Sequence, residues 1–126
     1  MINKMTSLET FKAMICFLDV YYNETLSDDL GSLLGDLQLS EDGSSTWDPA
    51  AWSDWGIALG KKESVTLVEG FKGVFNFLKA YYLRTSSSAS EIRELLDAMT
   101  FDENEELLRS PIWYIWIECV GKILYE

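Results

Sequence analysis

Apolar residues recur at steps of three and four along two stretches of the chain: Leu8, Phe11, Ile15, Leu18 and Tyr22, then Val68, Phe71, Phe75, Leu78 and Tyr82. That spacing puts each set on one side of a helix and predicts two amphipathic helices with these residues as the buried stripe. Both stretches open alike. Thr6-x-x-Glu9 and Thr66-x-x-Glu69 have the form of capping boxes, in which the threonine oxygen accepts from the third helical N–H and the glutamate reaches back to the cap. A second helix is expected from Ser27, with Asp28 and Asp29 in its first turn, where the positive end of the helix dipole favours carboxylates. Its counterpart starts at Ser88-x-x-Glu91. Third helices open with Asp48-Pro49 and Ser110-Pro111, a cap followed by the ring that suits the first helical position. Gly60 and Gly121 are expected at their far ends.

These parallels extend to residue identity. Residues 6–27 align without gaps on residues 66–87, with ten identical pairs: Thr6/Thr66, Glu9/Glu69, Phe11/Phe71, Lys12/Lys72, Phe17/Phe77, Leu18/Leu78, Tyr21/Tyr81, Tyr22/Tyr82, Thr25/Thr85 and Ser27/Ser87. Leu30, Leu33, Leu34 and Leu37 then match Ile92, Leu95, Leu96 and Met99, and Trp52, Trp55, Gly60 and Lys61 match Trp113, Trp116, Gly121 and Lys122. The chain is therefore read as all-α, a single domain over 1–126. Two tandem three-helix repeats, unit one at about 6–61 and unit two at about 66–123, form a compact bundle of six or seven helices. A seventh helix is allowed by residues 102–109, which could add a turn or two. The run Ile112–Ile117 is apolar on every face and ambiguous by periodicity alone; its match to the punctuated Trp52 segment makes it a helix, and a central one.

Composition supports a real core. Five Trp, six Tyr and six Phe occur in 126 residues, and a chain of this length buries roughly two-thirds of its unfolded surface. One of each pair Tyr21/Tyr22 and Tyr81/Tyr82 is expected on the core stripe and the other at its edge. Cys16 and Cys119 each fall inside an apolar helical pattern and read as buried free thiols. No stretch approaches the ~18 apolar residues of a membrane span and no secretory leader pattern is present, so the expectation is a cytosolic protein. The sequence has no histidine, which removes the commonest general base and metal ligand. No catalytic, cofactor or metal residues are assigned, and the chain is read as a binder rather than an enzyme.

Charge gives the functional lead. The formal charge is −11, and between Lys12 and Lys61 there is no basic residue, while Asp19, Glu24, Asp28, Asp29, Asp36, Glu41, Asp42, Asp48 and Asp54 supply nine acids. Some of these acids serve as helix caps, yet a merely soluble surface intersperses both signs. A strongly negative face repels nucleic acid and anionic membrane and steers basic partners toward it. Trp47, just before the Asp48 cap, is either a staple onto Trp52 or an exposed interface anchor. The partner-binding candidates are Glu24, Asp28, Asp29, Asp36, Glu41, Asp42, Trp47, Asp48 and Asp54.

The run Ser27-Asp-Asp-Leu-Gly-Ser-Leu-Leu-Gly-Asp36, followed by Glu41-Asp-Gly43 and Asp48-Pro-Ala-Ala-Trp-Ser-Asp-Trp55, resembles the immunity proteins of bacterial contact-dependent growth inhibition; Phe11-Lys-Ala-Met and Phe17-Leu-x-x-Tyr-Tyr fit the same pattern. The resemblance covers residues 6–60 and reaches 65–123 only through the internal match, where Asp-Asp-Leu-Gly has become Ser-Glu-Ile-Arg and Asp-Pro-Ala-Ala-Trp has become Ser-Pro-Ile-Trp. It implies a protein that binds a cognate toxin domain and neutralises it. Many such toxins are nucleases with basic clefts, which an acidic surface suits. Two other classes compete: an acidic helical adaptor or chaperone-like module for another basic protein, and a carboxylate-metal enzyme built on Asp28, Asp29 and Asp36.

Overall fold

The computed structural model describes residues 4–85, 90–99 and 110–125. Among them the chain forms six helices and one two-stranded ribbon: β1 (Met5–Thr6), α1 (Ser7–Thr25), α2 (Asp28–Asp36), α3 (Pro49–Ala58), β2 (Ser64–Val65), α4 (Leu67–Thr85), α5 (Ser90–Ala98) and α6 (Pro111–Tyr125). The all-α expectation holds. Residues 102–109 and Ser88 lie outside the described residues.

Local chemistry accounts for the helix starts. Both boxes close: Thr6 N–H donates to Glu9 Oε1 at 2.8 Å and Glu9 N–H to Thr6 Oγ1 at 3.0 Å, while the Thr66/Glu69 pair does the same at 2.9 and 3.1 Å. Ser27 caps α2 by accepting from Leu30 N–H, and Asp48 caps α3 by accepting from Ala50 N–H. Trp113 N–H donates to Ser110 Oγ at the start of α6. The ends depart from expectation in one place. Gly60 lies past α3 at φ +68°, the left-handed conformation glycine permits, but Gly121 is inside α6, which runs on to Tyr125.

The buried stripe is rotated from the predicted one. In α1 the buried residues are Thr10, Phe11, Ala13, Met14, Phe17 and Leu18, and in α4 they are Gly70, Phe71, Gly73, Val74, Phe77 and Leu78. These are the same six positions, sixty residues apart. Leu8, Ile15 and Tyr22, placed at the centre of the stripe by periodicity, are half-buried, as are Val68, Phe75 and Tyr82. The reason is that each long helix is covered from two sides: α1 by α2 and α6, and α4 by α5 and α3. Glycines mark the close approaches: Gly73 meets Leu59 and Trp55 at the α3 side, and Gly70 faces α1 and α6. A Cβ on Gly70 would sit 3.0 Å from Thr10 Cγ2 and 3.2 Å from Trp116 Cζ2.

Contacts recur at the sequence-matched positions. Trp55 Nε1 donates to the Ser7 carbonyl and Trp116 Nε1 to the Leu67 carbonyl, each at 3.1 Å. Phe11 meets Trp52 and Trp55 edge to face, and Phe71 meets Trp113 and Trp116. Trp55 contacts Phe77 across the halves, and Trp116 contacts Phe17. T-shaped pairs of this kind add about 0.5–1.5 kcal/mol each beyond area burial, and the indole donors are satisfied rather than stranded. The β1–β2 ribbon, which periodicity does not reveal, pairs Met5 with Val65 antiparallel and so ties the starts of α1 and α4 together. In α6, Ile112, Trp113, Trp116, Cys119 and Val120 are buried, but Tyr114 is exposed, so the helix is not enclosed on every side. Both thiols are free; Cys119 is buried and Cys16 half-buried. Tyr21, Tyr22, Tyr81 and Tyr82 are all half-buried, rather than dividing into core and edge.

Candidate acidic interface

Three elements meet at the negative side of the molecule: the C-terminal turn of α2, the N-terminal half of α3 and the last turns of α4. Between them lies a cleft of about 280 Å³ whose wall includes Asp36, Asp48, Asp54, Phe77, Tyr81 and Arg84. Asp36 ends α2, just before Leu37 turns the chain away. Asp48 caps α3, and Asp54, a turn and a half further on, is half-buried and accepts from Arg84 Nη1 at 2.8 Å. Among the described residues lining the cleft, Arg84 is the one cation.

Tyr81 stands on α4 within reach of the fields of two α2 carboxylates. Burial pushes its phenol up from the ordinary tyrosine value, and Asp36 and Asp29 push it further. The hydroxyl is therefore a neutral donor at physiological pH. Asp29 itself meets α5. Its carboxyl is raised, first by desolvation and then by the hydrogen bond and charge of Glu91 and by Asp28. Negative charge is thus concentrated along α2, whose own residues include no base.

A small loop connects α2 to α3. Leu39 and Thr46 bridge, and Ser40 N–H and Trp47 N–H donate to Ser45 and Gln38 carbonyls. Asp42 Oδ1 accepts from Ser40 Oγ, Ser44 N–H and Ser44 Oγ. These bonds hold its carboxyl at about 2, below the usual carboxylate range, with the Ser44 backbone contributing most. Trp47 follows the loop and is 63% exposed. It does not fold back as a buried staple; Trp52 instead packs on Phe11.

The nine sequence-predicted residues divide into groups. Asp36, Asp48 and Asp54 line one cleft, with Trp47 adjacent in the chain to Asp48. Asp28 and Asp29 occupy the opposite end of α2. Glu41 and Asp42 lie in the loop, where Asp42 is engaged in holding the turn. Lys12 approaches that loop, its Nζ 4.0 Å from where a Cβ on Gly43 would be. Glu24 lies at the end of α1, where it adds to the burial that raises Tyr21 to about 12. It does not line the cleft. Sequence reasoning missed Tyr81 and Arg84, both from the second half. The signal was present in the alignment, because Glu24 of the first half is replaced by Arg84 in the second, a charge reversal within an otherwise matched helix.

Among the described residues, no three Asp, Glu or Cys side chains converge as metal ligands do, and no helix is long and apolar enough to cross a membrane. Comparison with protein families, curated proteins and solved structures finds no match to this chain.

Proposed function

We propose that the chain is an immunity protein that binds a cognate basic toxin domain, of the nuclease kind, and neutralises it by covering its active cleft. The observation that carries the reading is that Asp36, Asp48 and Asp54 line one cleft, with the exposed Trp47 next to Asp48 in the chain. A basic nuclease cleft is built to hold phosphates, and a set of carboxylates offers the same sign of charge. Electrostatic attraction then speeds encounter and an aromatic anchor slows release. The sequence resemblance over residues 6–60 supports the same partner class, and the lack of histidine supports binding over catalysis.

An acidic adaptor for another basic protein rests on the same charge and is separated from immunity by the partner. The test is co-expression with the toxin domain encoded beside this chain. Immunity predicts that cells survive induction of the toxin and that the two proteins co-purify. Death of the cells with the chain abundantly expressed, and no complex, would defeat the proposal.

A further inference from the structure

Immediately beyond the Asp54–Arg84 ion pair, the cleft continues into a second, apolar groove between α3 and α4. It encloses about 540 Å³, inside the ~300–1,000 Å³ range of ligand pockets. Asp54, Phe77 and Arg84 form part of both walls, and Ile57, Ala58, Asn76, Ala80 and Leu83 line the rest. Ile57 is 64% and Leu83 70% exposed. Of the six large apolar side chains that are exposed among the described residues, these two flank the groove and Trp47 directly precedes the cleft residue Asp48 in the chain. Clustered apolar exposure of this kind marks interaction surfaces, whereas scattered residues do not.

The matched junction elsewhere in the fold shows that the groove is not imposed by the architecture. Position for position, Asp54, Ala58, Asn76, Ala80 and Arg84 of the α3–α4 junction correspond to Ile115, Cys119, Cys16, Val20 and Glu24 of the α6–α1 junction. There Ile115, Cys16 and Val20 pack against the core and Cys119 is buried. The matched positions are filled at one junction and line an open groove at the other.

Resting on the proposed binding of a basic partner, the geometry points to a two-part docking site. An arginine or lysine of the partner enters the Asp36–Asp48–Asp54 cleft, displacing Arg84 from Asp54, and a bulky apolar residue beside it fills the α3–α4 groove. Charge complementarity selects the occupant: three carboxylates line the cleft against the single guanidinium of Arg84, so the cleft is left net negative and an entering cation offsets that excess. Arg84 occupies the cationic position in the free protein and keeps Asp54 paired until the partner arrives.

The test uses the full chain and three synthetic helical peptides followed by heteronuclear NMR. The first carries an arginine one turn from a leucine, the second replaces the leucine by serine, and the third replaces the arginine by glutamate. The two-part site predicts that the first peptide shifts amides in both 48–58 and 76–85, that the serine peptide binds about tenfold more weakly or worse, and that the glutamate peptide does not bind. Ala80→Trp and Leu83→Ser, both at exposed positions, should remove the advantage of leucine over serine while leaving the fold intact by circular dichroism. Equal binding of the leucine and serine peptides, insensitive to Ala80→Trp, would overturn the groove and leave the acidic-surface reading standing. Failure of both arginine peptides to bind would overturn the two together.

Discussion

Two helix junctions built from matched residues end differently. At α1–α6, the most extensive helix contact among the described residues, Cys16 and Cys119 meet. Burial, and then the hydrogen bond to Cys16, drives the Cys119 thiol far above its ordinary value. At α3–α4 the corresponding positions are Asn76 and Ala58, and Asn76 Nδ2 reaches only the Ala58 carbonyl, at 3.3 Å. Filling a junction with apolar and weakly polar groups stabilises the fold; leaving one open with a surface ion pair does not. The open junction is also where Asp36, Asp48 and Asp54 line the cleft.

The largest way to test that contrast is to truncate the two central indoles. Trp116→Ala and Trp55→Ala each remove a buried side chain and a satisfied donor, and each should destabilise by about 3–5 kcal/mol in urea unfolding. Trp116→Ala should lie at the upper end, since the closed junction has little room to collapse, whereas Phe77 and Leu59 can move toward the open groove. The reverse order would mean that the groove wall is the stiffer of the two.

Glycines sharpen the comparison on a smaller scale. A Cβ on Gly73 of α4 would lie 2.5 Å from Leu59 Cδ2 and 3.3 Å from its Cγ, although the matched residue in α1 is alanine. Overpacking of about 1–3 kcal/mol then exceeds the ~1 kcal/mol gained in helix propensity, and Gly73→Ala should destabilise by about 1 kcal/mol. Gly56 in α3 has nothing within 4 Å of the same atom. Gly56→Ala should therefore stabilise by about 0.5–1 kcal/mol, read as a rise in the urea midpoint at constant slope.

Charge contributes less. The Glu69 carboxyl is held down to about 2, chiefly by Lys62 and then by the Thr66 N–H of the capping box. A carboxyl depressed in the folded state adds stability above its unfolded value near 4.5 and loses it as pH falls toward 2. Acid titration should accordingly weaken wild type over that window, and Glu69→Gln should flatten the dependence. Asp29 has the opposite sign: its raised value means that ionisation works against folding, so Asp29→Asn should raise the melting temperature at neutral pH. The smallest effect is at Arg84. Arg84→Ala removes an exposed ion pair and should cost under ~1 kcal/mol, less at high salt, while freeing Asp54 and tightening binding of a basic partner about two- to fivefold.

Much of this was legible in the chain before any coordinates. Capping boxes, the two Pro-opened helices and the matched Trp pairs are local signals, and each lies where periodicity and capping chemistry put it. The stripe was misplaced because the rule for one buried face fails when a helix is covered from two sides; Thr10, Gly70 and Gly73 are buried as close-approach points rather than as hydrophobes. Gly121 was read as a stop, yet nothing lies within 4 Å of its missing Cβ and the helix continues through it. The site was half legible. Acids could be counted along the sequence, but their sorting into a cleft depends on which end of α2 meets α3 and α4, and the α4 contributions of Tyr81 and Arg84 are long-range in sequence.

The central claim is that Asp36, Asp48 and Asp54 together hold a basic protein. The direct measurement is calorimetric titration of the proposed toxin partner into wild type and into the triple variant Asp36→Asn, Asp48→Asn, Asp54→Asn, across a range of salt. Asparagine keeps the α3 cap, so the fold should survive. The account predicts a wild-type affinity that falls steeply with salt and a triple variant weakened about a hundredfold with little salt dependence left. Equal affinity and equal salt slope in the two proteins would contradict it.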